Sequence, residues 1–305
     1  MGSKIVLAGG RGFLGAALAE FLTARGREVV VLTRTPTPGA GVREVAWDGR
    51  TVGPWAAELD GAEALVNLAG RSVNCVPTPE NRREILESRV NSVRALGEAW
   101  GRCARPPGVW VQGSSIGIYG DAGDRICDES TPPAAGYPAD VCREWEAAFA
   151  SVQVPETRRV VLRIGLVLGP GGGALGPLAR LARWYLGGAA GHGRQYLSWV
   201  HREDMNAIFW EAVTRVGMTG VYNGCSPRPV TNAEFMRELR RALHRPWSPP
   251  APAWVVRLGA RWLLQTDADL ALTGRRCMPV RLLEQGFKFG QPDLRPALEQ
   301  IFRRS

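Results

Sequence analysis

Apolar residues recur in two alternating rhythms along the first half of the chain. Short continuous runs read as buried strands: KIVLAGG (4–10), EVVVLTR (28–34), REVAW (43–47), ALVNLAG (64–70), GVWVQGSS (108–115) and RRVVLRIGLVLG (158–169). Between them the spacing lengthens to that of helices. Phe13, Leu14, Ala17, Leu18, Phe21 and Leu22 lie on one helical stripe that ends at Gly26, a glycine suited to a C-cap. A long helix is predicted from Pro79 to Cys103, and another within AGYPADVCREWEAAF (135–149). Strands alternating with helices predict an α/β protein with a parallel, doubly wound sheet.

The rhythm changes after position 168. GPGGGALG (169–176) reads as a flexible joint, PLARLARWYL (177–186) as a helix, and GGAAGHGRQ (187–195) as a glycine-dotted loop. YLSWVHREDMNAIFWEAV (196–213) predicts a short strand and a helix that return to the sheet, followed by the strand GVYNGCS (220–226). From TNAEFMRELRRALHR (231–245) onward, helices and proline-rich turns predict a smaller lobe. The expected division is therefore 1–168 with 200–228 returning to it, against a mainly helical C-terminal substrate lobe of 169–199 and 229–305.

Composition narrows the classes. No run approaches the ~18 apolar residues of a membrane-spanning helix, and no small-residue cleavage site follows the apolar N-terminus. The chain is expected to be cytoplasmic and to have no membrane partner. The net charge of +9 comes almost wholly from arginine, since Lys4 and Lys288 are the only lysines. Those arginines are interspersed with acids along predicted helices and form no basic-aromatic stripe, so no nucleic-acid partner is expected. The six cysteines have no paired metal-site spacing, and 305 residues need no disulfide scaffold. No metal is expected, the assembly is open to a homodimer, and the small-molecule substrate is not identified.

AGGRGFLG stands between the first predicted strand and helix. Gly9, Gly12 and Gly15 allow a tight turn, close approach of backbone to a pyrophosphate, and close packing of helix on strand. The helix N-terminus adds unpaired N–H groups. NAD sites place an acid at the end of the second strand; here that position is Arg34, with Arg11 inside the loop. Two guanidiniums suit a 2′-phosphate, so the expected cofactor is NADP(H).

LAGGRGFLG, NLAG (67–70), SSIGIYG (114–120), LRIGLVLGPGGGAL and SWVHREDM together resemble the extended short-chain dehydrogenase/reductases, a Rossmann-type family. More narrowly, NLAGRSVNC, REILESRV, CREWEAAF and RRCMPVRLLEQGFKFGQPDL resemble its atypical epimerase-family group, with that group's C-terminal helical domain. The resemblance implies that Gly9, Arg11, Gly12, Phe13 and Leu14 line the pyrophosphate and 2′-phosphate. It implies that Asn67, Leu68, Ala69 and Gly70 pass the adenosine–ribose half, that Asp48 approaches the adenine, and that Ser114 and Arg163 belong to the cofactor site. Asn91 matches the asparagine that buttresses the active site, and Ser115 the serine that hydrogen-bonds a substrate oxygen. Arg194 and Gln195 lie where relatives contact substrate. Tyr119 is read as packing, and His201 and Asp204 as fixing a strand–helix junction.

One feature of the family is missing. Its chemistry uses a tyrosine with a lysine four residues on, one helical turn away. The residues four after Tyr119, Tyr137, Tyr185, Tyr196 and Tyr222 are Gly123, Val141, Ala189, Val200 and Ser226, so no such pair exists. Cys142 stands at the lysine position and Tyr137 one residue out of register. Three readings remain. In one, a reductase or epimerase-like enzyme uses Ser115 and Tyr137 as hydrogen-bond donors. In another, Cys142 takes over acid–base work. In the third, NADP(H) is bound without turnover, as in a redox sensor.

Overall fold

The computed structural model describes residues 3–39 and 41–303. Seven strands form one sheet: β1 (Lys4–Ala8), β2 (Glu28–Thr33), β3 (Arg43–Ala46), β4 (Ala64–Asn67), β5 (Val109–Ser115), β6 (Arg158–Ile164) and β7 (Gly220–Gly224). Their order across the sheet is β3-β2-β1-β4-β5-β6-β7, with every pairing parallel. The direction of winding reverses between β1 and β4, which opens a crevice at the carboxyl ends of those strands.

Each face of the sheet is covered because each strand is apolar on both sides. On one face Ile5, Leu7, Val31, Val66, Val111 and Leu162 pack under helices α1 (Phe13–Thr23) and α5 (Arg202–Thr214). On the other, Val6, Val30, Leu65 and Trp110 pack under α2 (Pro79–Trp100) and α3 (Tyr137–Ser151). Thr78 begins α2 by accepting the Asn81 N–H at 3.2 Å, with Pro79 in the first turn, where it costs no hydrogen bond.

The predicted strand 158–169 is interrupted. A Cβ on Gly165 would stand 2.6 Å from the Ser198 carbonyl oxygen, so only glycine lets that segment approach. Beyond it, Leu166–Leu168 leaves the sheet and pairs in parallel with Trp199–His201. A separate core then gathers Leu168, Trp199, α4 (Leu175–Arg183), α6 (Asn232–Ala242) and the C-terminal helix Leu294–Arg303.

A small fourth cluster joins the sheet end to this lobe. It holds Ile116, Ile118, Tyr119, Cys127, Cys142, Cys225 and Cys277, and the ladder between Ile126–Cys127 and Arg276–Cys277 runs through it. All six cysteines are unpaired. Among the described residues no helix is long and apolar enough to cross a membrane.

Candidate active-site crevice

The β1–α1 turn is shaped by backbone. Gly9 has φ +79°, and a Cβ there would meet the Leu68 and Ala69 backbone at 2.8 Å; a Cβ on Gly15 would lie 2.5 Å from Gly10 Cα. The loops after β1 and β4 therefore touch, and α1 starts directly against the turn. Gly12 precedes α1 without a side-chain cap, and no acid lies in the first helical turn. The orphan N–H groups and the positive end of the helix are left to attract an anion. Phe13 packs beneath Gly172 and Gly173, while Leu14 joins the sheet core.

Arg11 and Arg34 share the rim of this turn and both are exposed. Arg11 donates to the Thr35 carbonyl and lies 3.7 Å from Glu44, which also accepts the Thr37 N–H. Arg34 has no carboxylate partner among the described residues. Asp48 is used differently: it accepts from the Arg50 and Thr51 N–H groups and from the Thr51 hydroxyl. Those bonds, the hydroxyl's above all, hold its pKa below the usual carboxylate value. That carboxylate closes its own turn.

Beyond β4 the Asn67 side chain points inward. Its Nδ2 donates to Ser92 Oγ (3.2 Å) and Gln112 Oε1 (3.0 Å), and its Oδ1 accepts the Ala69 N–H at 3.0 Å. Asn67 thus shapes the 68–70 loop from below, leaving only the backbone and side chains of Leu68, Ala69 and Gly70 beside the crevice. On α2 it is Ser92, not Asn91, that enters this network; Asn91 is half-buried and makes no hydrogen bond among the described residues.

At the end of β5 the two serines diverge. Ser114 is buried and donates to Glu146 at 2.6 Å. Ser115 accepts the Gly117 N–H at 3.0 Å, capping the single turn Ile116–Tyr119. That uses a lone pair only, so its hydroxyl proton remains to be donated. Glu146 also receives Arg163 in a bidentate pair, Nε at 2.9 Å and Nη2 at 2.8 Å. Arg163 Nη1 donates to the Tyr119 hydroxyl, which donates in turn to Asn223. Arg163 and Ser114, read from the resemblance as cofactor contacts, are instead committed to Glu146. A buried guanidinium needs such a counter-charge. Tyr119 packs as expected, fully buried, with burial raising its pKa.

Tyr137 opens α3 and donates to the Arg82 carbonyl at 3.1 Å, with the Arg82 guanidinium 4.8 Å over its ring. Burial raises its pKa, outweighing the opposing pull of Arg89 and Arg82. Cys142, at the lysine position, is 4 % exposed, and burial pushes its thiol up to about 11. Burial therefore favours the thiol over the thiolate at neutral pH, which weighs against a role as the missing base. Arg194 is exposed, whereas Gln195 is buried, donating to the Ala190 and Ala271 carbonyls. Gln195 therefore ties the 187–195 loop to the second lobe. His201 caps α5 by accepting the Glu203 N–H, and Asp204 accepts the Gly290 and Gln291 N–H groups.

The strand order and glycine turn have counterparts in known proteins. A model of the NAD dependent epimerase/dehydratase family matches residues 5–223. The chain belongs to that family. A second model, a domain of unknown function (DUF1731), matches residues 251–301. The epimerase family protein SDR39U1 of Bos taurus is 34% identical over 303 residues, 98% of this chain and 99% of that protein. The Bacillus subtilis epimerase family protein YfhF is 31% identical over 98% of this chain and 97% of its own. The human SDR39U1 crystal structure, solved with NADPH, superposes with a TM-score of 0.89 at 33% identity, over 99% of this chain and 100% of the other. A Corynebacterium glutamicum nucleoside-diphosphate sugar epimerase gives 0.79 at 29% identity, over 99% of this chain and 58% of the other. The extended short-chain dehydrogenase/reductase fold with a helical C-terminal region is therefore this family member's architecture.

Three residues of the crevice have no signal in the sequence read alone. Glu146 stands four residues after Cys142, one helical turn along, and only its contacts show why an acid is there. Arg89 and Arg275 converge on Cys142 from α2 and from the second lobe. Each looks like any other arginine of an arginine-rich chain until the fold brings them together.

Proposed function

We propose that this protein is an NADP(H)-dependent oxidoreductase of the epimerase family that works in the direction of carbonyl reduction. The observation that carries the reading is Ser115: its hydroxyl sits at the carboxyl end of β5 and keeps a proton to donate. The glycine turn suits the cofactor. Its close-packed backbone, the uncapped N-terminus of α1 and the acid-free first turn favour a pyrophosphate, and exposed Arg11 and Arg34 favour a 2′-phosphate. The human relative solved with NADPH supports the same choice.

NADPH bound there supplies hydride. The chain's own groups handle the oxygen: Ser115 donates a hydrogen bond to the substrate carbonyl, polarising it, and Tyr137 gives a proton once its hydroxyl leaves the Arg82 carbonyl. A tyrosine whose pKa burial has raised stays protonated at neutral pH, so it can offer its hydrogen but is not available as a base. This asymmetry supports reduction over the reversible acid–base step of epimerisation. Six unpaired cysteines suit a reducing cytoplasm.

A second reading, a binding module that senses NADP(H) without turnover, is favoured by the Tyr137 hydroxyl already being engaged by the Arg82 carbonyl. Titration with NADPH and NADH, followed by a carbonyl panel monitored by NADPH oxidation, separates them. Turnover that falls in Ser115→Ala and Tyr137→Phe supports the enzyme. Tight NADPH binding with no turnover supports the sensor, and tighter NADH than NADPH would remove Arg11 and Arg34 from the argument.

A further inference from the structure

Two guanidiniums flank the Ser115 site, and neither has a carboxylate at ion-pair distance among the described residues. Arg89 reaches over from α2. Its Nη1 donates to the Ile85 carbonyl at 2.9 Å and the Arg71 carbonyl at 3.0 Å, and its guanidinium lies 5.1 Å over the Trp145 ring. The Nε and Nη2 donors have no partner among the described residues. Arg275 enters from the second lobe. Its one side-chain bond is Nη2 to Thr273 Oγ1 at 3.4 Å, and its Nε is sealed from solvent with no partner.

Arg275 reaches the Ser115 turn directly. A Cβ placed on Gly117 would lie 3.3 Å from Ser115 Oγ, 3.7 Å from Cys142 Sγ and 3.8 Å from Arg275 Nη1. Arg89 lies against the 68–70 loop, its Cζ 3.2 Å and Nη1 3.3 Å from a Cβ placed on Gly70, and together with Arg275 it draws the Cys142 pKa down against the larger effect of burial. The acids nearby are engaged elsewhere: Glu146 holds Arg163 and Ser114, and Asp121 accepts the Gly274 N–H at 3.1 Å. Burial draws both guanidiniums below the usual arginine range. Both side chains are half-buried, and holding a cation partly out of water with no carboxylate in contact is costly, so a fold that does so twice along one crevice has a use for the charge.

We propose that the substrate is an oxo acid, or its hydroxy-acid product, whose carboxylate is held between Arg89 and Arg275 with the neighbouring oxygen on Ser115. A planar guanidinium presents paired donors that match a carboxylate, and Cys142, in place of a lysine, brings no competing charge. The inference rests on the reductase reading and names its substrate class.

Calorimetric titration of the full chain with oxamate, with and without saturating NADPH, tests it. Saturable binding is expected in both conditions, with acetamide, the neutral analogue, failing to compete. Arg275→Gln and Arg89→Gln should each weaken oxamate at least about tenfold, as loss of a charge-assisted bond does. Arg89→Lys should restore only part, because an ammonium lacks the fork. Retained NADPH affinity and circular dichroism identify folded variants, and Arg275→Gln, in the other lobe, stands if Arg89→Gln misfolds. No saturable oxamate binding overturns the proposal, as does binding unchanged in the folded glutamine variants. Inorganic phosphate binding more tightly than oxamate through the same arginines overturns it too. Failure of NADPH alone to bind overturns the cofactor reading instead, and the titration without NADPH still decides the carboxylate site.

Discussion

The turn at Gly9–Gly15 and the pocket at Ser115–Cys142 lie along the same edge of one sheet and are built by opposite means. The first is a backbone structure, contiguous in the chain, whose ligand groups are N–H dipoles and two exposed arginines. The second is a side-chain structure assembled from α2, β5, α3 and the second lobe, in which Arg163 is buried and Arg89 and Arg275 are half-buried. The comparison teaches where specificity resides. A backbone cradle tolerates change in side chains around it, whereas the pocket depends on which buried charges are paired. Arg163 is paired through Glu146; Arg89 and Arg275 are not.

The largest effect is expected inside the pocket's support. Arg163→Met leaves Glu146 buried without its cation and should destabilise the fold by about 3–5 kcal/mol in urea unfolding. A loss below about 1 kcal/mol would mean the pair behaves as a surface one. Next comes the cradle itself. Gly9→Ala adds a Cβ where φ is +79° and backbone stands 2.8 Å away, so a cost of about 1–3 kcal/mol is expected together with a marked fall in NADPH affinity. Unchanged affinity would detach the turn from the cofactor.

Smaller again is the cofactor choice. Arg34→Ala should weaken NADPH about tenfold and leave NADH unaltered in fluorescence titration, since only the 2′-phosphate is lost as a partner. Equal weakening of both would make Arg34 a general contributor. The mildest test concerns Cys142. Its pKa is raised from 9.0 to about 11, so its contribution to stability is whole below pH 9 and is lost as pH rises through about 11. At pH 8 iodoacetamide should label the half-buried Cys75 before Cys142, and Cys142→Ala should keep the pH profile of turnover. A changed profile would return the thiol to the acid–base chemistry.

Much of the scaffold was legible because its signals are local. Strand runs, the helical stripe from Phe13 to Leu22 and the start of the long helix at Pro79 are all decided within a few residues. The break at Gly165 was not legible, since it depends on Ser198 arriving from a distant loop. For the same reason Asn67 was legible as part of a motif but not as an inward-facing brace, and nothing local marks Ser92 as its partner on α2.

By itself the sequence determined a parallel doubly wound sheet, a glycine turn with arginines in place of an acid, and the absence of a tyrosine–lysine pair. These follow from residue type and spacing along one chain. Only the tertiary structure decided which charges neutralise each other. Burial strengthens every electrostatic interaction and makes an unpaired charge costly, so the meaning of an arginine here depends on what stands a few ångströms away. That is why buried Arg163 is a brace, while half-buried Arg89 and Arg275, with no ion pair among the described residues, point to a substrate.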